Sequence, residues 1–450
     1  MKKVISSSVM LFMATATVCA GGLVTNSNQS AAFMRNPARD ALTEVDAAYY
    51  NPAGVAFMSN GFHFGFNNQA AFQQRNVTAT MLANPVVPVG VMQDKEYKGK
   101  IASPIIPSID FVYATDRWSL SSHFGVPGGG GSCEYADGLP MFDAMVRGMI
   151  YKGVYQQYIS GGAAPAVAAA QAKGAAGASA ESSSFTGKNY LFGWQVGGAY
   201  KVTENLSFAI GARLSYYKAN YTGEVKYTIP TQAENVFNLD CDQSGFGVAP
   251  ILGVNYKKDG LSVAVKYEFR TSIEAENDTK EFPSAFAGVP SLSRFKDGEK
   301  SRADQPAFLT LGAAYDLNPS LTLTAGFHYY FDKDAFYSNG LESQVDNNTV
   351  EYLLGAEYKL NDKWIVSLGG QISRYDVTPE YNSNTGFMMS SYSIAGGARY
   401  SINDKLAIDF GCLWSTYDDF DKTSNYGGIQ VEESYLRKSI APAIGLVWNL

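Results

Sequence analysis

From about residue 188 onward the chain keeps a regular beat, in which runs of ten to sixteen residues alternate apolar with polar and then stop at a turn. In residues 261–270, Leu261, Val263, Val265, Tyr267 and Phe269 fall on one parity, and Ser262, Lys266, Glu268 and Arg270 on the other. The same happens where Leu321, Leu323, Phe327 and Tyr329 interleave with Thr322, Thr324 and His328, and where Ile408, Phe410, Cys412 and Trp414 flank Asp409 and Ser415. Period two sends each set to one face of a β-strand. The runs end alternately in short turns, such as Lys258-Asp259-Gly260 and Asn403-Asp404-Lys405, and in long polar stretches, such as 277–302 and 419–433. Tight turns at one end and long loops at the other are the layout of an outer-membrane barrel. A soluble sandwich also alternates, but runs this long with aromatic ends fit a lipid-facing wall better. The expected fold class is therefore all-β: a transmembrane antiparallel β-barrel of about 14 strands.

Composition agrees. Mean hydropathy is only −0.13, and past the first twenty residues no apolar stretch approaches the ~18 that a membrane helix needs. Yet 13% of residues are aromatic and only 17% charged, with 29 Tyr and 44 Gly. The chain opens with Lys2 and Lys3, an apolar run from Val4 to Val18, and the small-residue site Val18-Cys19-Ala20. This reads as a signal peptide over 1–20, cleaved after Ala20. A formal charge of −7 speaks against nucleic acid as a partner. Cys133, Cys241 and Cys412 remain after cleavage, an odd and unclustered set; a disulfide framework is not expected, and one bridge among them stays open. Three scattered histidines, His63, His123 and His328, offer neither a metal site nor a catalytic constellation. No enzyme activity and no cofactor are expected.

The residues before the first strand have another character. They read Ala31-Ala32-Phe33-Met34-Arg35-Asn36-Pro37-Ala38-Arg39-Asp40-Ala41, then Asp46-Ala47-Ala48-Tyr49-Tyr50-Asn51-Pro52-Ala53-Gly54. This resembles the N-terminal hatch of the FadL/TodX family, which closes on Asn-Pro-Ala just before the first strand. Trp118-Ser119-Leu120-Ser121-Ser122-His123-Phe124-Gly125 is similar to that family's third strand, which bends inward around a glycine. The resemblance implies a hatch (plug) over 21–60 inside the lumen and a barrel over 61–450. It implies passive transport of hydrophobic compounds, long-chain fatty acids or aromatic hydrocarbons, through a monomer in the bacterial outer membrane, with release sideways into the outer-membrane lipid.

On that reading each part has candidates. Asn51, Pro52 and Ala53 would form the gate of the hatch. His123, Phe124, Gly125 and Pro127, with Gly128 to Gly131 behind them, would make the bend that opens the wall, because Pro lacks a ladder donor and Gly weakens a strand. A carboxylate needs a cation; Arg213, Lys266, Arg270 and Arg399 point inward by parity, and Lys218 sits near the top of its strand. Inward charges in a barrel more often pair across the lumen. A long loop at about 126–187 has Leu139, Phe142, Met145 and Met149 near helical spacing. Phe142, Met145 and Met149, with Phe282, Phe286 and Leu292, are the candidate outer groove, the plainer alternative being that they pack loops onto the barrel mouth. Competing readings are a general diffusion porin, which would need an unplugged lumen, and a surface adhesin using the 126–187 loop.

Overall fold

The computed structural model describes residues 23–82, 92–178, 180–228, 234–282 and 294–450. The expected leader and cleavage site, together with Phe286 and Leu292, lie outside the described residues.

Alternation becomes a closed wall. The strands are β1 (Gly61–Met81), β2 (Met92–Ala114), β3 (Trp118–Tyr135), β4 (Ala180–Lys201), β5 (Leu206–Thr228) and β6 (Asn235–Lys258). Next come β7 (Leu261–Glu268, resumed at Glu274–Glu281), β8 (Lys300–Arg302, resumed at Phe308–Asn318) and β9 (Leu321–Tyr330). The wall ends with β10 (Val345–Lys359), β11 (Trp364–Val377), β12 (Ser391–Ser401), β13 (Leu406–Tyr417, resumed at Phe420–Tyr426) and β14 (Ile429–Asn449). Successive strands pair antiparallel, and β1 pairs with β14 from His63↔Asn449 to Met81↔Val431, closing the barrel with 14 strands. Closure removes the open edges that a sheet cannot leave unpaired in lipid.

Parity decides which side chain meets lipid. Leu261, Val263 and Val265 are exposed while Ser262, Ala264 and Lys266 are buried. Ile210, Leu354, Leu368 and Ile394 belong to the same outward band, which is far larger than the few hundred Å² of apolar patch a soluble monomer exposes. At the short-turn end, Phe62 and Tyr113 lie 4.6 Å apart, Tyr113 and Trp118 5.5 Å, and Trp364 and Tyr400 4.7 Å, as in an interfacial aromatic belt. The turns follow from their residues. Asp259 (φ 51°) and Gly260 (φ 79°) supply the two positive φ values that a two-residue hairpin between β6 and β7 requires. Asn361 and Asn403 each accept from the amide two residues on, at 2.9 Å.

At the other end the β3–β4 connection folds into α3 (Pro140–Ser160) and α4 (Pro165–Ala178), after the short hatch helices α1 (Ala31–Arg35) and α2 (Ala47–Tyr50). Asp143, in the first turn of α3, accepts from Tyr97 Oη at 2.6 Å and Lys95 Nζ at 2.5 Å, which tethers the helix to β2. Ala168, Ala172 and Ala176 form the buried stripe of α4 at one-turn spacing. The β5–β6 connection is largely strand: pairing continues up to Tyr227↔Asn235.

Residues 23–60 lie within this wall. α1 starts at Ser30, whose hydroxyl accepts from Phe33 N at 3.0 Å. The helix packs on Gly411 of β13, where a Cβ would stand 2.6 Å from Ala31 O and 2.7 Å from Arg35 N. No larger residue permits that approach. Arg35 and Arg39 are buried in a lattice of carboxylates. Arg35 meets Glu357 at 2.9 Å and Asp409 at 3.0 Å; Arg39 meets Asp46 at 2.8 Å and Glu357 at 3.1 Å. Arg399 closes the lattice on Glu44 and Asp409, both at 2.8 Å. The hatch is thus ion-paired to β10, β12 and β13.

Candidate functional site

One stretch of wall is not zipped. β2 and β3 pair from Ile109↔Phe124 to Ala114↔Ser119, and again from Gly99↔Tyr135 to Ile101↔Cys133, with no pair between the two blocks. Pro104 and Pro107 on β2 and Pro127 on β3 have no N–H to offer there. On its other side β3 stays attached to β4, with register shifts after Gly125 and Gly129. Gly129 (φ 66°) and Gly130 (φ 107°) carry the bend, in backbone conformations that residues with a Cβ rarely adopt.

The hatch occupies the partner positions that β2 has left. Asn26 N donates to Pro127 O at 2.8 Å and Asn26 Nδ2 to Gly129 O at 2.6 Å. Gln29 bonds Val126 in both directions, Nε2 to the carbonyl and Oε1 from the amide, each at 3.0 Å. At Gly125 a Cβ would sit 2.3 Å from Gln29 Oε1, so the glycine makes room for that clamp. His123 is buried with Nδ1 2.7 Å from Asp110 Oδ1, and Phe124 faces outward beside Phe192 at 6.4 Å. Of the four residues expected at the bend, His123 and Phe124 still pair with Asp110 and Ile109, while Gly125 and Pro127 lie in the stretch that β2 leaves unpaired.

At the far end of the hatch, Asn51 Oδ1 accepts from Gly54 N at 3.1 Å and Nδ2 donates to Asn255 Oδ1 at 2.5 Å. Ala53 O accepts from Ser207 Oγ at 2.7 Å, and Pro52 lies over Gly253 of β6. Asn51→Ala leaves the buried Asn255 amide short of a partner and is expected to weaken hatch docking by about 1–3 kcal/mol. Faster hydrogen exchange at Gly54, with the wall amides unchanged, is the expected readout.

The cations sort differently from expectation. Arg213 is held by Glu268 at 2.5 Å and Gln195 at 2.7 Å, and stacks 4.7 Å from the Tyr49 ring. Lys266 donates to Tyr49 O at 3.0 Å, and Arg399 belongs to the hatch lattice. Two candidates leave the lumen altogether. Lys218 shares the exposed parity of Tyr216, while Tyr217 and Ala219 point in, so its height on the strand does not bring it into the lumen. Arg270 is exposed at the rim, where it donates to Asp334 O at 2.7 Å and lies 4.8 Å from the Phe336 ring. β7 is interrupted after Glu268, so alternation no longer predicts a direction there.

Two cations line the lumen cavity: Arg294, from the segment before β8, and Arg302, which is held by Asp304 at 2.8 Å. This cavity, about 70 Å³, reaches from Gly128 and Gly129 at the bend to Leu191, Tyr217, Tyr381 and Met388. Arg294 is buried, and its Nε and Nη1 have no hydrogen-bond partner among the described residues. Burial pushes the guanidinium down to about 10, so it stays charged at neutral pH. Sequence reasoning passed it over because an irregular segment has no period to read.

A second cavity, about 50 Å³, brings Phe142, Met145 and Phe282 together with Phe185, Phe237, Leu239 and Phe295. Met149 packs nearby without lining it. α3 and the raised β5–β6 hairpin supply most of its walls. Cys133, Cys241 and Cys412 are free thiols, and no metal-binding cluster occurs among the described residues.

A wall of 14 antiparallel strands with a docked N-terminal segment and an inward third strand is a specific architecture. It superposes on a Pseudomonas aeruginosa FadL homologue with a TM-score of 0.68 at 14% identity, covering 95% of this chain and 100% of that one. The chain has the FadL/TodX fold. The P. putida toluene transporter TodX matches with a TM-score of 0.60 at 14% identity, over 96% of this chain and 99% of that one. The Ralstonia pickettii toluene transporter TbuX gives 0.53 at 14% identity, over 99% and 100%. The family of outer-membrane protein β-barrel domains matches residues 282–432 by sequence, while no curated protein matches. Together with the apolar outer band, the FadL/TodX fold makes this an outer-membrane barrel.

Proposed function

We propose that the protein carries hydrophobic molecules across the outer membrane passively, with long-chain fatty acids as its substrates. The observation that carries the reading is the unzipped stretch between β2 and β3, because the lumen cavity reaches that stretch through Gly128 and Gly129. Sideways release keeps an acyl chain in apolar surroundings throughout. Passage straight through would expose it to water at about 0.8 kcal/mol per CH₂. The aromatic and Met-lined outer cavity suits capture of a flexible chain, the lumen cavity suits its head, and the docked hatch blocks the axial path. Transport is the whole activity in this reading, with no chemical step.

A buried guanidinium, two of whose nitrogens have no hydrogen-bond partner among the described residues, would separate a fatty acid from a neutral hydrocarbon of the kind TodX and TbuX are named for. Charged hydrogen bonds contribute about 1.5–3 kcal/mol, so Arg294→Gln is expected to weaken oleate binding by ~10–100-fold and leave toluene binding unchanged. Native mass spectrometry of the detergent-purified barrel reads both. Equal loss for both ligands would remove the fatty-acid assignment. Free passage of small sugars through the intact protein in liposomes would favour a porin.

A further inference from the structure

The lumen cavity shares a partition with a second space at the rim. That space, about 390 Å³, lies between residues 299–302 and residues 336–342, and opens past the exposed Glu299, Lys300, Phe336 and Gly340. Arg294, Arg302, Tyr337 and Ser338 line both. The wall is thin here. Above the pair Phe308↔Tyr330, strand pairing between β8 and β9 ends. The two chains then touch through Phe331 N–Ala307 O at 2.9 Å, Asp304 N–Phe336 O at 3.2 Å and one isolated bridge, Ala303↔Tyr337.

The partition also holds polar atoms that no described residue satisfies. Arg294 Nε and Nη1, Ser301 Oγ and Ser338 Oγ are buried without a hydrogen-bond partner among the described residues. Native structures rarely leave such groups unpaired, and these belong to three different residues along one passage. All of them can donate, and a carboxylate accepts through both oxygens. Outside, Arg270 and Arg302 lie 4.8 Å and 5.5 Å from the Phe336 ring, which gives an amphiphile both a cation and an apolar face.

We infer that this partition is an entry doorway: an amphipathic carboxylate passes sideways from the cell surface between residues 299–302 and 336–342, its head conducted by Ser301 and Ser338 to Arg294. The inference rests on the lumen cavity being the substrate's site, and it adds a second opening in the wall, distinct from the exit at β2–β3.

Ala303 and Tyr337 face each other across an antiparallel bridge, where Cα atoms stand about 4.5–5.5 Å apart, a span a disulfide can close. The test is Ala303→Cys with Tyr337→Cys, in a background of Cys133→Ala, Cys241→Ala and Cys412→Ala, read by uptake of radiolabelled oleate into cells. The oxidised staple is expected to lower the initial rate about tenfold or more, and reductant to restore it. Ser301→Trp, which fills the rim space without a cross-link, is expected to produce a similar fall. Uptake unchanged in a fully oxidised staple, or in folded Ser301→Trp, overturns the doorway. Gly129→Val, aimed at the exit, separates the two failures. If it stops uptake while the staple does not, the doorway alone is wrong; if neither slows uptake, the transport reading fails with it.

Discussion

Arg35→Ala is expected to undock the hatch and leave an open, conducting barrel. The substitution removes the cation that Glu357 and Asp409 both contact; Arg39 and Arg399 still reach them, but the four carboxylates Glu44, Asp46, Glu357 and Asp409 are then left with two cations. Breaking such a pair from one side costs about 3–5 kcal/mol, more than any single neutral hydrogen bond of the hatch supplies. The 14-strand wall does not depend on Arg35 for its ladder, so the barrel itself should persist. Planar-bilayer recordings should show steady conductance where the native protein is silent, and protease should clip within residues 23–60. Removing the opposing charges as well, in Arg35→Met with Glu357→Gln and Asp409→Asn, should restore silence, because Arg39 and Arg399 then remain matched by Asp46 and Glu44 and no carboxylate lacks a cation. A silent Arg35→Ala channel would mean that ion pairing is not what docks the hatch.

Gly129→Val is expected to lower uptake about tenfold or more while the hatch stays in place. At φ 66° a β-branched residue is strained by roughly 1–3 kcal/mol, and its Cβ would approach Asn189 O within 2.5 Å. β3 then cannot hold the bend that presents Pro127 O and Gly129 O to Asn26. Oleate uptake into cells, with bilayer conductance as the control for an intact hatch, separates this from a general loss of structure. Unchanged uptake would mean the bend is not on the path.

Period-two alternation made the wall legible because each strand meets lipid on one face and polar lumen on the other. The rule holds wherever the ladder is continuous, as at Ser262, Lys266 and Glu268, and it lapses where the ladder stops, as at Arg270. Lys218 was open to the same rule, since its neighbours Tyr217 and Ala219 are the buried ones. The glycines and Pro127 marked the bend on β3. Pro104 and Pro107 on the facing strand are an equally readable sign of missing donors. What no local pattern could reveal is which distant groups meet. Arg35 finds Asp409 across 374 residues of chain, and Arg294 enters the lumen from a segment with no period at all.

The central claim is lateral release between β2 and β3, and photo-labelling tests it most directly. A long-chain fatty acid carrying a diazirine near its methyl end would be taken up by cells making the intact protein, flashed during uptake, and its attachment sites mapped by mass spectrometry. The account predicts labels on Gly128 to Gly131 and on residues 102–108 of β2, with the underside of the hatch at Asn51 to Ala56 clean. Labels on that underside and on the short turns, with the β2–β3 stretch clean, would contradict it and place the path straight through the barrel.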